Sequence, residues 1–269
     1  MNKIELEINN QAGSLIYQKV HQAPAKWDEL TKDQLLLLAA TMGSKLIFKD
    51  ARNILAILLY KVPVRLVKHL NSLSLDDIGD TISFLFKKNT LNNWLIEAFR
   101  HRLFKYYGPK KQLSNITVDE YILTERCYEQ FGNTKNAEYL DTLAAILYRP
   151  KRFSDIDNDI RRQLTAYGYI KRAKRFKSLP LRLKYAIYLN YEGCRNYIIE
   201  NNKDVFTPGK STGKQEKQSL TPWADIVSSS APGAFGTIKE TKAANLHEFL
   251  KKLGATIREA KELEEKYRT

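Results

Sequence analysis

The chain predicts a mainly α-helical fold: a helical bundle with a short N-terminal β-hairpin and a tethered C-terminal helical segment. Three observations lead there. Apolar residues recur at three- and four-residue spacing over most of the length. Two runs within the first twenty residues, Lys3 to Ile8 and Leu15 to Val20, alternate, and between 205 and 219 the composition turns to Thr, Pro, Gly, Lys, Ser and Gln without periodicity. With 43% hydrophobic and 11% aromatic residues among 269, the chain carries enough apolar surface to offset the entropy of ordering it.

Lys3 to Ile8 and Leu15 to Val20 alternate, with turn residues Asn9-Asn10-Gln11-Ala12-Gly13 between them, so they read as a hairpin. Two strands alone are marginal and should pack on a helix or another chain. Thr31 is an N-cap with Gln34 as its capping-box partner, and the apolar run Leu35 to Ala40 follows directly. Asp50 to Tyr60 is apolar nearly all round, which predicts a central buried helix stopping before Pro63. Leu75 to Phe86 and Asn92 to Tyr106 predict two more helices. Gly108-Pro109-Lys110-Lys111 then breaks the pattern and closes a first domain, residues 1–110, with Trp27 as a core residue.

The second domain, 111–204, opens with Thr117 as N-cap and Glu120 as its box partner, leading a helix through Tyr121, Cys127 and Tyr128. A loop at Gly132-Asn133-Thr134 precedes the helix Ala137 to Tyr148, whose Tyr148 should anchor in the core. Ser154 to Tyr169 and Leu181 to Glu200 are the next two helical patterns. Residues 205–221 read as a flexible linker. The segment 222–269 carries helical patterns at Pro222 to Ser229 and from Thr237 to Tyr267, separated by Pro232-Gly233. In the latter, Leu246, Phe249, Leu250, Leu253, Ile257, Ala260 and Leu263 form one apolar face that needs a partner, inside the chain or outside it. Trp223, Leu246, Phe249, Leu253 and Ile257 are the expected partner-binding residues, and truncation after Gly209 should leave a folded protein.

The longest apolar clusters, Leu35 to Ala40 and Ile54 to Tyr60, fall far short of the roughly 20 residues a membrane-spanning helix needs. The N-terminus lacks the basic and apolar regions of an export signal, so a reducing cytoplasm is the expected compartment, with Cys127 and Cys194 as buried small hydrophobes. The net charge of +14 and pI near 9.5 favour an acidic partner, either nucleic acid or an acidic protein surface. Between 151 and 184 stand eleven Lys or Arg against three Asp, interleaved with Tyr167, Tyr169 and Phe176. The dense cluster Lys171, Arg172, Lys174, Arg175 and Lys177 is the expected exposed contact for such a partner.

Motifs of chemistry do not accumulate. Gly209-Lys210-Ser211 invites comparison with a phosphate-binding loop, but that loop needs a Gly five residues earlier, where this chain has Asp204. His21, His69, His101 and His247 lie far apart without metal-ligand spacing. Asp155-Ile156-Asp157-Asn158-Asp159 lacks the Gly of a calcium loop, and capping of the next helix is its better account. No catalytic, metal or cofactor site is expected, and the reading is a non-enzymatic binding protein.

Three stretches in order resemble tail-assembly-chaperone-like proteins of phages and prophages of Bacteroidetes-type bacteria. Pro24-Ala25-Lys26-Trp27-Asp28-Glu29-Leu30-Thr31 is similar to the Pro-x-x-Trp-(Asp/Glu)-Glu-(Leu/Val)-Thr entry of such sequences. Thr117-Val118-Asp119-Glu120-Tyr121 through Leu143-Ala144-Ala145-Ile146-Leu147-Tyr148-Arg149-Pro150 resembles their helix pair with a Leu-Tyr-Arg-Pro end. Trp223-Ala224-Asp225-Ile226-Val227, Phe235-Gly236 and Asn245 to Leu250 resemble a tryptophan-led segment ending in a partner-binding helix. The resemblance implies a protein that holds a tail-tube or tape-measure client soluble during virion assembly, or a minor virion component, in the bacterial host cell. The alternative reading is a basic nucleic-acid-binding protein using Lys151 to Lys184.

Overall fold

A computed structural model describes residues 1–9, 14–43, 47–70, 72–156, 159–206, 223–230 and 236–267. The elements run β1 (Asn2–Asn9), β2 (Leu15–Ala23), α1 (Lys32–Met42), α2 (Phe48–Leu59), α3 (Val64–Val67) and α4 (Ser72–Asp80). Then come β3 (Ala98–His101), β4 (Phe104–Tyr107), α5 (Val118–Thr134), α6 (Ala137–Leu147), β5 (Lys151–Ile156), β6 (Asp159–Arg161), α7 (Ala166–Phe176) and α8 (Leu181–Asn201). The chain ends with α9 (Lys203–Phe206), α10 (Trp223–Ser230), α11 (Ile238–Ala243) and α12 (Leu246–Tyr267). The fold is mainly α with three two-stranded antiparallel sheets among the described residues. Most of the expected linker, its Gly-Lys-Ser included, and the Pro232-Gly233 break lie outside the described residues.

Two compact units form, each from two chain segments: Met1–Leu95 with Leu179–Gly193, and Ile96–Ser178 with Cys194–Thr269. Their borders do not fall at the sequence boundaries 110 and 204. In the first unit β1 and β2 pair in the expected hairpin, with Leu6, Ile8, His21 and Ala23 buried. The Thr31–Gln34 capping box is present in both directions and starts α1, and Trp27 is buried. Helix α2 buries Leu55, Ala56, Ile57 and Leu59, but Phe48, Ile54 and Leu58 are exposed, so it is not buried all round as its composition suggested. Beyond a 3-10 turn at Ser83–Phe86 the chain is extended. Its backbone is held by amides instead of a helix: Leu95 N–H donates to Asn190 Oδ1 at 2.8 Å, and Asn190 Nδ2 donates to the Asn93 carbonyl at 2.7 Å. The segment lies so close to α8 that a Cβ on Gly193 would overlap the Leu91 carbonyl. The helix expected over Asn92 to Tyr106 is therefore replaced by this extended stretch and by the β3–β4 hairpin.

In the second unit Thr117 caps α5 as expected, accepting from Glu120 N–H at 3.2 Å, but α5 continues through the predicted loop at Gly132. It ends at Lys135, a left-handed residue at φ 56 whose N–H reaches Phe131 O. Lys135→Gly removes that conformational cost and is expected to raise stability by about 0.5–1 kcal/mol, read as a higher urea midpoint at unchanged slope. Ser154 to Tyr169, expected as one helix, is divided between β5, β6 and the start of α7, whose cap is Thr165 and not the Asp155–Asp159 run. Tyr148 is fully buried, and so are Cys194 and, nearly, Cys127, whose thiol burial pushes up to about 11.

The C-terminal segment is part of this unit. Val118 N–H donates to the Ala244 carbonyl and Leu246 N–H to the Ile116 carbonyl, both at 3.0 Å, which ties residues 244–246 to the entry of α5. Asn245 caps α12 through the His247 N–H at 2.9 Å, splitting the expected Thr237–Tyr267 helix in two. Trp223 lies edge-on to Tyr121 at 5.1 Å and to Phe206 at 5.7 Å. Trp223, Leu246 and Phe249 are buried and Leu253 and Ile257 half-buried, so the apolar face expected to take a partner is largely used within the chain.

Candidate nucleic-acid interface

Two elements of the second unit, the β3–β4 hairpin and helix α7, carry exposed cations. The hairpin forms because Phe99 and Tyr106, directly paired across the strands, turn inward onto Phe176 of α7 at ring distances of 5.6 and 4.9 Å. Period-two alternation puts the neighbouring pair, Arg100 and Lys105, on the outward face and directly opposite one another. Like charges so placed repel, which disfavours the pairing unless an anion lies between them. The two-residue turn holds Arg102 at φ 53, a left-handed backbone uncommon outside glycine, and leaves Leu103 at its tip 96% exposed.

Helix α7 packs Phe176 fully into the unit. The helical period then directs Tyr167, Ile170, Lys171 and Lys174 to the opposite, solvent side, with Arg175 at its edge. Lys171 Nζ stands 5.7 Å from the Tyr167 ring and the Arg175 guanidinium 5.7 Å from the Phe104 ring, so the edge of α7 and the hairpin meet through a cation over an aromatic face. Phe104 is 50% and Tyr167 76% exposed. Arg100, Arg102, Lys105, Lys171, Lys174 and Arg175 make no ion pair with any described residue.

Of the five basic residues expected as one exposed cluster, Lys171 and Lys174 are exposed, Arg175 half-exposed, and Lys177 exposed but held 2.7 Å from Glu138. Arg172 departs from the expectation. Its Nε donates to the Ala145 carbonyl at 3.0 Å, and burial, with the positive Arg149 close by, lowers its pKa to about 10. Arg100, Arg102, Phe104 and Lys105 were missed because their stretch was assigned to a helix. The signal that finds them is Phe99/His101 and Phe104/Tyr106 alternating on either side of Arg102-Leu103.

Behind this face sits a buried ionic network that sequence spacing also misread. Glu120, expected as a capping partner, sends its carboxylate to Arg149 at 2.5 Å and Arg161 at 3.1 Å. Asp159 pairs with Arg161 at 2.8 Å and Arg149 at 3.3 Å, and Arg161 further donates to the carbonyls of Leu147 and Asn115, each at 3.0 Å. Burial alone raises the Asp159 carboxyl pKa, but hydrogen bonds from Arg161 and attraction from both guanidinium groups outweigh it and leave it below the usual carboxylate value. The network forms one wall of a cavity of about 1100 Å³ that Lys110, Thr117, Lys242 and Asn245 also line. Its buried charges are already paired with one another, which makes it a fastening between α5, the Leu147–Arg149 strand entry and β6.

No known protein family, no curated protein and no solved structure matches the chain.

Proposed function

We propose that the protein works by binding and not by chemistry, and that its second unit binds nucleic acid through the outer side of α7 and the β3–β4 hairpin. The observation that supports this reading is the set of six cations on two adjoining elements without a carboxylate partner, two of them forced opposite each other across a hairpin. A phosphate backbone supplies the negative charge that such an arrangement lacks. If all six cations engage phosphates, the logarithm of the affinity for a single strand falls against the logarithm of salt with a slope of about −4.

Fluorescence anisotropy with a labelled oligonucleotide across a salt series tests this. Reversal of Arg100, Lys171 and Lys174 to Glu is expected to weaken binding by about a hundredfold at low salt and to flatten the slope by about two. A control reversal of Lys3, Lys19 and Lys32, exposed on the first unit, changes net charge equally and should leave most of the affinity in place. Equal losses from both triple variants would reduce the effect to net charge and sink the site.

A second reading, an assembly protein that holds a phage tail-tube or tape-measure client, has its own support on the first unit. There Phe48, Ile54 and Leu58 leave an apolar stripe of α2 in solvent, and an amphipathic client helix could lie along such a stripe. Ile54→Glu combined with Leu58→Glu should then abolish capture of a tail component from nuclease-treated host lysate. Undiminished capture by that variant would rule out the stripe.

A further inference from the structure

We infer that the nucleic acid taken by this face is single-stranded, with the Phe104 and Tyr167 rings as stacking platforms for unpaired bases and Lys171, Lys174 and Arg175, on the helix between them, as the track for its backbone. The inference rests on the binding face proposed above and adds to it what the uncharged residues are for. Phosphate contact alone needs cations and hydrogen-bond donors, as in duplex binding through the backbone. This face instead interleaves them with Phe104, Tyr167 and Ile170, respectively 50%, 76% and 49% exposed.

Large apolar side chains left in water among like charges gain nothing for folding. They gain when a base covers them, and every base offers a π-face to an aromatic ring. The placement is suited to a strand. Phe104 meets α7 at Arg175, and Tyr167 lies eight residues earlier on the same helix, which corresponds to about 12 Å along the axis. Lys171 and Lys174 fall between the two rings, where the backbone of a strand stacked at both ends has to pass. Each ring already carries a cation on one face, Arg175 over Phe104 and Lys171 over Tyr167, which braces it and adds positive charge beside the stacking position.

An anionic lipid surface is the competing ligand for basic residues beside an exposed hydrophobe such as Leu103. A helix lying in a membrane interface buries a broad apolar face in the lipid. The apolar side of α7 is committed to the fold through Phe176, and the side it leaves outside sets Lys171, Lys174 and Arg175 among Tyr167 and Ile170, with no broad apolar face. That distribution favours a strand over a bilayer.

The test uses the full chain, a labelled 20-nucleotide single strand, the same sequence as a duplex, heparin as a polyanion without bases, and vesicles containing phosphatidylserine. Tighter binding of the single strand than of the duplex is expected. Phe104→Ala and Tyr167→Ala should each weaken single-strand binding by about tenfold while leaving heparin elution unchanged, and Phe104→Trp should restore it. Unchanged thermal unfolding of Tyr167→Ala, at a three-quarters exposed position, guards against a folding artefact. Duplex binding equal to or tighter than the single strand, or aromatic variants without effect, would overturn the inference and leave the proposed binding face standing. Absence of binding to both nucleic acids would remove both. Vesicle binding that depends on Phe104 and Leu103, with no preference for the single strand, would likewise overturn it in favour of a lipid surface.

Discussion

Glu120→Ala is expected to destabilise the protein by about 3–5 kcal/mol, because it strands two guanidinium groups that water does not reach. Arg149 and Arg161 are each 1% exposed, and Glu120 is the carboxylate they share. Asp159 remains, but one carboxylate then faces two buried cations. The loss should appear as a fall of roughly 10 °C in the midpoint of thermal unfolding. The same network makes stability depend on pH with a definite sign. The Asp159 carboxyl has a depressed pKa in the folded protein, so its contribution is present above the ordinary Asp value of about 3.9 and is lost as pH falls through the lower folded value. Urea midpoints at pH 7, 4 and 3 should therefore decline for the parent protein and decline less for Asp159→Asn, which starts lower. A Glu120→Ala protein with the parent midpoint at pH 7 would show that the network contributes nothing to stability.

Truncation after residue 206 should cost the second unit its cooperative unfolding. The removed residues include Trp223, Leu246, Phe249 and Leu250, all buried, and their loss uncovers Tyr121 together with the Ile116 and Val118 backbone groups that pair with 244–246. Each large buried side chain so removed is worth several kcal/mol, and Phe249→Ala alone should cost about 3–5 kcal/mol. Near-ultraviolet circular dichroism and the sharpness of the urea transition report the outcome. A truncated protein that keeps the sharp transition and the near-ultraviolet signal would show the segment to be a detachable appendage. That is the result expected from sequence alone for a cut after Gly209, and the packing of Trp223 on Tyr121 now argues against it.

These two sites show where sequence reading stopped. Thr117 and Glu120 have the spacing of a capping box, and half of that box forms; the other half is given up because Glu120 finds stronger partners in Arg149 and Arg161, 29 and 41 residues away. The apolar face of α12 was correctly read as needing a partner, but spacing within a helix carries no information about whether that partner is α9 and α5 of the same chain or another molecule. The basic run was legible as charge. Its division into outward Lys171 and Lys174 and inward Arg172, and the hairpin that carries Arg100 and Lys105, were not.

By itself the sequence determined the mainly helical character, the N-terminal hairpin, the caps at Thr31 and Thr117, the burial of Trp27, Tyr148 and both cysteines, and the excess of positive charge. All of these follow from interactions between neighbours within a turn or a strand, or from composition. Tertiary structure decided the rest: Ala98 to Tyr107 as a hairpin, Lys151–Ile156 and Asp159–Arg161 as strands, the docking of residues 223–230 and 236–267, and the pairing of Glu120 with two distant arginines. In each case residues far off in the chain supply packing, hydrogen bonds or charge that local preference cannot, and burial makes leaving those groups without partners more costly than giving up the local conformation.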